Sequence, residues 1–218
     1  MWRETLAIIK LNFSLEWQKR RSYFSLLIYL LSTVYLAYLL FSDGLTAEGW
    51  NAFFWVIFIF AALQAAYRSF YFEADQRFLF YFGLVSARSL ILGKILYNFI
   101  YLFFLGLATL MLFIFFLQQP LKDPWAFVLI LLLAALGFSA ILTLAAGLSA
   151  KAGANPALPA ILSIPLLYPQ LITLSKISLR ALTGFSWEIN SPLLLVMGLI
   201  GLVSLLLAYL LFPYLWRD

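Results

Sequence analysis

Residues 95–121 read ILYNFIYLFFLGLATLMLFIFFLQQPL, a run without a single Asp, Glu, Lys or Arg. A helix crosses a bilayer core with about 20 mainly apolar residues, within a range near 17–25. No alternation of period two runs through the stretch, so it predicts a membrane-spanning helix rather than a barrel strand. Five further uncharged runs share this character: Ser22–Ser42, Gly49–Tyr67, Pro124–Ala150, Ala152–Ser175 and Ile189–Trp216. Together the six runs predict an all-α integral membrane protein with six transmembrane helices.

Composition agrees. Of 218 residues, 65% are hydrophobic and only 11% charged, against about 25% charged in a soluble domain. Mean hydropathy is +1.01. Cysteine and histidine are absent, so no disulfide framework and no thiolate or imidazole metal site is expected from this chain. The net charge of +5 comes from scattered residues, which read as topology signals rather than a nucleic-acid footprint. The N-terminus does not read as a cleavable signal peptide, because Glu4, Glu16 and Lys19-Arg20-Arg21 interrupt it. Gly93-Lys94 lacks the upstream glycine and following Ser or Thr of a nucleotide-binding loop.

With the N-terminus in the cytoplasm, all but three of the 14 Lys and Arg fall on the cytoplasmic side. The exceptions are Lys122, Lys176 and Arg180. This bias predicts that both termini are cytoplasmic. The outer segment KISLRALTGFSWE, between the fifth and sixth runs, reads as a surface loop or a short helix dipping into the membrane.

The chain reads as a single domain, with an interfacial helix over 1–21 and a six-span bundle over 22–216. In the first part Trp2, Leu6, Ile9, Phe13 and Trp17 share one helical face. That stripe suits a helix lying in the cytoplasmic interface, or else one packed on a soluble partner. In the fourth run Ala135 and Ser139, and Ala145 and Ser149, have the spacing that lets helix backbones approach. That run is expected inside the bundle or at a subunit contact. The fifth run carries Pro156, Pro159, Pro165 and Pro169, which predict a kinked helix, either static or able to bend. Gln64, Asn98 and Gln170 stand out among the few polar side chains within the spans. They suit interhelical hydrogen bonds worth about 0.6–2 kcal/mol, or the lining of a path. No ionised residue sits mid-span, which argues against an ion-coupled carrier. No paired carboxylate, HExxH or Ser–His pair supports an intramembrane enzyme.

The charges concentrate between the second and third runs, in YRSFYFEADQRFLFYFGLVSARS from Tyr67 to Ser89. Glu73 and Arg77 lie at i,i+4, and Phe78, Phe82 and Val85 follow as an apolar stripe. This fits a short helix on the membrane surface that presents a charged knob to a soluble partner, or a solvated loop with interfacial rings.

The stretches EWQKRRSYFSLLIYLLSTVYLAYL (16–39), WNAFFWVIFIFAALQAAYRSF (50–70), LILGKILYN (90–98), GFSAILTLAAGLSAKAGANPALPAILSIPLLYP (137–169) and LLFPYLWRD (210–218) together resemble the heme exporter protein B (CcmB) family. That family supplies the permease of the cytochrome c maturation transporter, among the type-2 ABC exporter permeases. The resemblance covers almost the whole chain, in order. Where the family commonly shows a Gly-x-Leu element and Leu-Ser-Pro, this chain has Arg77-Phe78-Leu79 and Val85-Ser86-Ala87.

The resemblance implies a non-catalytic subunit in the bacterial inner membrane. Arg68, Phe72, Glu73, Asp75, Arg77 and Phe78 would form the helix that couples to a CcmA-like ATPase, which holds the ATP. It implies CcmC- and CcmD-like membrane subunits, a CcmE-like periplasmic heme chaperone, and a homodimer or close pairing of permease halves. Heme would be the cargo. Methionine occurs only at 1, 111 and 197, so this chain is poorly equipped to ligate iron and a partner is expected to do so. A related permease moving lipid, polysaccharide or drug shares every topological feature, and an assembly scaffold is a further alternative.

Overall fold

A computed structural model describes residues 2–18, 20–41, 44–71, 85–118, 121–151, 157–184 and 186–217, and all their side chains except 15–18, 20–23, 67–71, 151 and 215–217. The described chain is helical throughout its regular parts: α1 (Trp2–Gln18), α2 (Arg20–Leu40), α3 (Ala47–Tyr71), α4 (Ala87–Leu117), α5 (Pro124–Lys151), α6 (Leu158–Thr183) and α7 (Trp187–Arg217).

Five of these, α3 to α7, are long and apolar enough to cross a membrane, which makes this a multi-pass membrane protein. In α2 the apolar part, Phe24–Leu40, is a shorter helix. At 31 residues, α4 and α7 are each about 46 Å long, more than a bilayer core of about 30 Å requires.

Helix ends follow local chemistry. Ser86 caps α4, its hydroxyl accepting from the Ser89 amide at 3.3 Å. Asp123 caps α5 through the Ala126 amide at 3.0 Å. Gln118 takes a left-handed conformation at the end of α4, with φ 46°.

Two helix ends differ from the sequence expectation. Lys176 and Arg180 do not start a loop: α6 runs on to Thr183, and α7 begins at Trp187. Arg180 lies in the last turn of α6, where a cation complements the helix dipole, and its guanidinium donates to Asn190 Oδ1. Gly184, at φ 144°, then turns the chain. Likewise α4 begins at Ala87 rather than after Lys94, and Gly93-Lys94 is helix interior.

The hub is α5, which packs on α3, α4, α6 and α7. Ala135, Ser139, Ala145 and Ser149 are all buried there. Small side chains let neighbours come close, as dispersion rather than hydrophobic burial holds helices together in lipid. Gly137 takes this furthest: a Cβ on Gly201 of α7 would lie 3.5 Å from its amide nitrogen.

One end of the bundle is filled with rings. Trp50 stacks on Phe54 at 5.6 Å and meets Phe113 and Phe127 edge-on at 5.1 and 5.8 Å. Its indole N–H is buried without a hydrogen-bond acceptor, enclosed by rings whose π faces are only weak acceptors. Beside it, Asn51 Nδ2 donates to the Ser175 carbonyl at 2.9 Å and Trp55 Nε1 to Ser178 Oγ at 2.8 Å, pinning α3 to α6. The Asp123 amide donates to the Ala181 carbonyl at 3.1 Å. This ringed end is firmly tied together.

Candidate functional site

The opposite end gathers α1, the start of α4 and the last turns of α7. Ser86 donates from its hydroxyl to Glu4 Oε2 at 3.2 Å, and the Ser86 and Ser89 hydroxyls stand 2.8 Å apart. These hydroxyls, Ser89 first and then Ser86, hold the Glu4 carboxyl below the ordinary carboxylate range. Arg88 lies 5.5 Å over the ring of Tyr209 on α7. Ile8, Leu90, Ile91, Ala208 and Phe212 close an apolar cluster beneath.

From there α1 runs alongside the first third of α4. A Cβ on Gly93 would strike the Ile8 side chain, so glycine sets that approach. Phe13 meets Tyr97 edge-on at 4.9 Å. The buried face of α1 is Thr5, Ile8 and Asn12. The aromatic stripe faces elsewhere: Trp2 and Leu6 are 69% and 62% exposed, Phe13 is exposed and Ile9 half-buried. Trp17 falls in α1, with its side chain outside the described residues.

The polar line continues inward along α4. Lys94, read from sequence as a flanking charge, is fully buried. One turn on, Asn98 Nδ2 donates to Thr143 Oγ1 of α5 at 2.8 Å. Because α4 and α5 are antiparallel, that bond sets Lys94 opposite the C-terminal turns of α5, the negative end of its dipole.

The charged stretch singled out between the second and third runs ends at this corner, where residues 85 and 86 lead into α4. Arg68 lies near the end of α3, its side chain outside the described residues, and Phe72, Glu73, Asp75, Arg77 and Phe78 also lie outside them. Residue 86, where that segment joins α4, is the residue that bonds Glu4. Sequence reasoning missed Glu4, Thr5, Ser86, Ser89 and Lys94. A serine three residues ahead of Ser89, just before an apolar run, was the available cap signal.

The other singled-out residues divide. Gln170, fully buried on α6, points its Nε2 at the carbonyls of Leu133 and Ala134 on α5, at 3.4 and 3.3 Å. Gln64 is exposed. Asn98 and Gln170 therefore make the interhelical contacts and do not converge on a path. Pro165 and Pro169 lie inside α6 and Pro159 at its start, while Pro156 lies outside the described residues. Beside Pro169 a groove of about 470 Å³ opens on the outer surface between α5, α6 and α7, lined almost wholly by apolar side chains such as Leu166, Leu199 and Val203. Met111 is exposed on α4 and Met197 is buried on α7.

No protein family, no curated protein and no solved structure matches this chain.

Proposed function

We propose that this chain is the membrane half of an ABC-type exporter, driven by an ATPase carried on another polypeptide. The observation behind this reading is the Glu4–Ser86 bond. It joins the N-terminal helix to the point where the charged 67–86 segment enters α4. A displacement of that segment is thereby delivered at once to α1 and α4, and through Asn98–Thr143 to the hub. The six runs would be six spans, counting α2, with both termini and the coupling segment cytoplasmic. Trp2 and Leu6, the strongly exposed part of the stripe, would rest in the lipid interface, while Phe13 packs on Tyr97.

The finer reading is the heme system of cytochrome c maturation in a bacterial inner membrane. It rests on the sequence resemblance, with CcmA-, CcmC-, CcmD- and CcmE-like partners and a paired permease. Heme iron would be ligated by a partner, since this chain offers no His or Cys and only three methionines. The chain would act as a transmitter of motion.

The test is charge reversal of Glu73 and Arg77 followed by copurification of the ATPase. Loss of association is expected, and undiminished association with normal cytochrome c maturation defeats the coupling role. Deleting the gene should abolish covalent heme attachment to c-type cytochromes and let heme-loaded chaperone accumulate. The outward apolar groove favours a second reading, a lipidic cargo. Intact cytochrome maturation in the deletion strain would select it.

A further inference from the structure

The two halves of α6 are held very differently. Its C-terminal half is locked to α3 by Asn51, Trp55 and Ser178 and buries Leu174, Ile177 and Ala181. Its N-terminal half also buries one stripe, Pro159, Ser163 and Leu167, but Ser163 bonds only within its own helix, to Ala160, and Ile161, Ile164 and Tyr168 are 63%, 56% and 64% exposed. Between the halves stand Pro165 and Pro169, inside the helix. Neither can donate to the carbonyl four residues back, so the helix loses two successive bonds on its axis. Immediately after them comes Gln170. Its Nε2 makes only long bonds and its Oε1, although buried, has no hydrogen-bond partner. The amide occupies the space a Cβ on Gly137 would need.

We propose that residues 158–170 form an arm that peels from α5 where Pro165 and Pro169 soften α6, with the Gln170 carboxamide, carried on the arm and seated against Gly137, as its latch. The under-bonded amide makes the latched state cheap to leave. A buried amide left with an open acceptor forfeits much of the gain of burial, so little hydrogen bonding is lost when it moves. The locked half of α6 keeps the ringed end still. The arm carries Leu166 and Pro169, one wall of the groove shared with α7, so its swing widens or closes that groove. The two residual carbonyls, of Ile161 and Pro165, are the points where an α-helix bends with least loss. The device needs no partner subunit, so it stands or falls independently of the exporter assignment.

The chain contains no cysteine, so spin labels can be placed without background. One pair, Leu166→Cys with Leu199→Cys, spans the groove, and a control pair, Glu48→Cys with Lys176→Cys, sits on the tied end. Distances are measured by double electron–electron resonance in lipid nanodiscs. The groove pair is expected to give two distance populations. Replacing both Pro165 and Pro169 by alanine should leave only the shorter one, and Gly137→Ala should enrich the longer one. Gln170→Ala, which removes the latch without crowding, should shift the populations the same way and covers the case in which Gly137→Ala does not fold. The control pair should keep one distance throughout. A single narrow groove distance in the parent, in Gly137→Ala and in Gln170→Ala overturns the proposal. So does a proline-free variant that retains both populations, or a control pair that shifts in step with the groove pair.

Discussion

Glu4 and Ser86, 82 residues apart in sequence, meet through a 3.2 Å hydrogen bond that fastens the first helix of the chain to the start of α4. Glu4 alone is acidic in the first turn of α1, and Ser86 also caps α4, so one contact serves two helix ends.

That contact has a pH dependence of known sign. The hydroxyls of Ser89 and Ser86 lower the folded pKa of Glu4 beneath its ordinary value of 4.5. The carboxylate's contribution to docking is thus complete above about 4.5 and fades as pH falls through the lower, folded value. A spin label at the exposed Ala7 should show constant mobility from pH 7 down to 5 and rising mobility only under more acidic conditions. Glu4→Gln should remove the acid-induced change. An unaltered response in Glu4→Gln would assign it to another group.

Ser86→Ala should cost about 1 kcal/mol of stability, within the roughly 0.5–2 kcal/mol of a lost N-cap. Ser86→Asn should restore most of it. The measurement is reversible unfolding in mixed micelles. Equal losses for Ala and Asn would show that the cap is not the source.

Asn98 and Thr143 should be energetically coupled. A double-mutant cycle with Asn98→Ala and Thr143→Ala should give a coupling of about 0.6–1.7 kcal/mol, the span observed for hydrogen bonds between membrane helices. Strict additivity would mean that the contact carries no energy.

Tryptophan depth offers a test of placement. Trp2 is exposed at the Glu4 end, and Trp125 and Trp187, 76% and 49% exposed, lie at the ringed end. Such rings favour the headgroup zone at each membrane face. Single-tryptophan variants should be quenched best by shallow spin-labelled lipids at 2, 125 and 187. Trp50 and Trp55, at 0% and 5% exposure, should be shielded from every depth. Strongest quenching of Trp125 by a label at the bilayer centre would contradict this placement.

Much of the helical layout was legible in the sequence. Pro124–Ala150 was read to within a residue of α5, because Asp123 and Lys151 bracket an apolar run. The small residues of that run are buried. The end of α6 was not legible. Lys176 and Arg180 look like loop residues to any hydropathy window, yet a helix emerging from the bilayer keeps turning, and Arg180 finds Asn190 ten residues on. That Thr5 and Asn12 form part of the packed side of α1 was hidden for a different reason. Periodicity locates its apolar stripe, but in lipid the apolar side can point outward while Thr5 and Asn12 go in. Hydropathy alone does not choose between these. The corner around Ser86 rests on an 82-residue separation that no local pattern reports.

The bond from Asn51 to the Ser175 carbonyl spans 124 residues, and this fixes an order of events at the ribosome. At synthesis rates of about 5–20 residues per second, roughly 6–25 s pass between making one partner and the other. Through that interval α3 sits in the membrane with the Trp55 indole bonded within its own helix, to Asn51 Oδ1, while Asn51 Nδ2 still waits for the Ser175 carbonyl of α6. The nascent protein is consequently most vulnerable to quality-control proteases, and most in need of an insertase or neighbouring lipid headgroups, while its last third is still being translated.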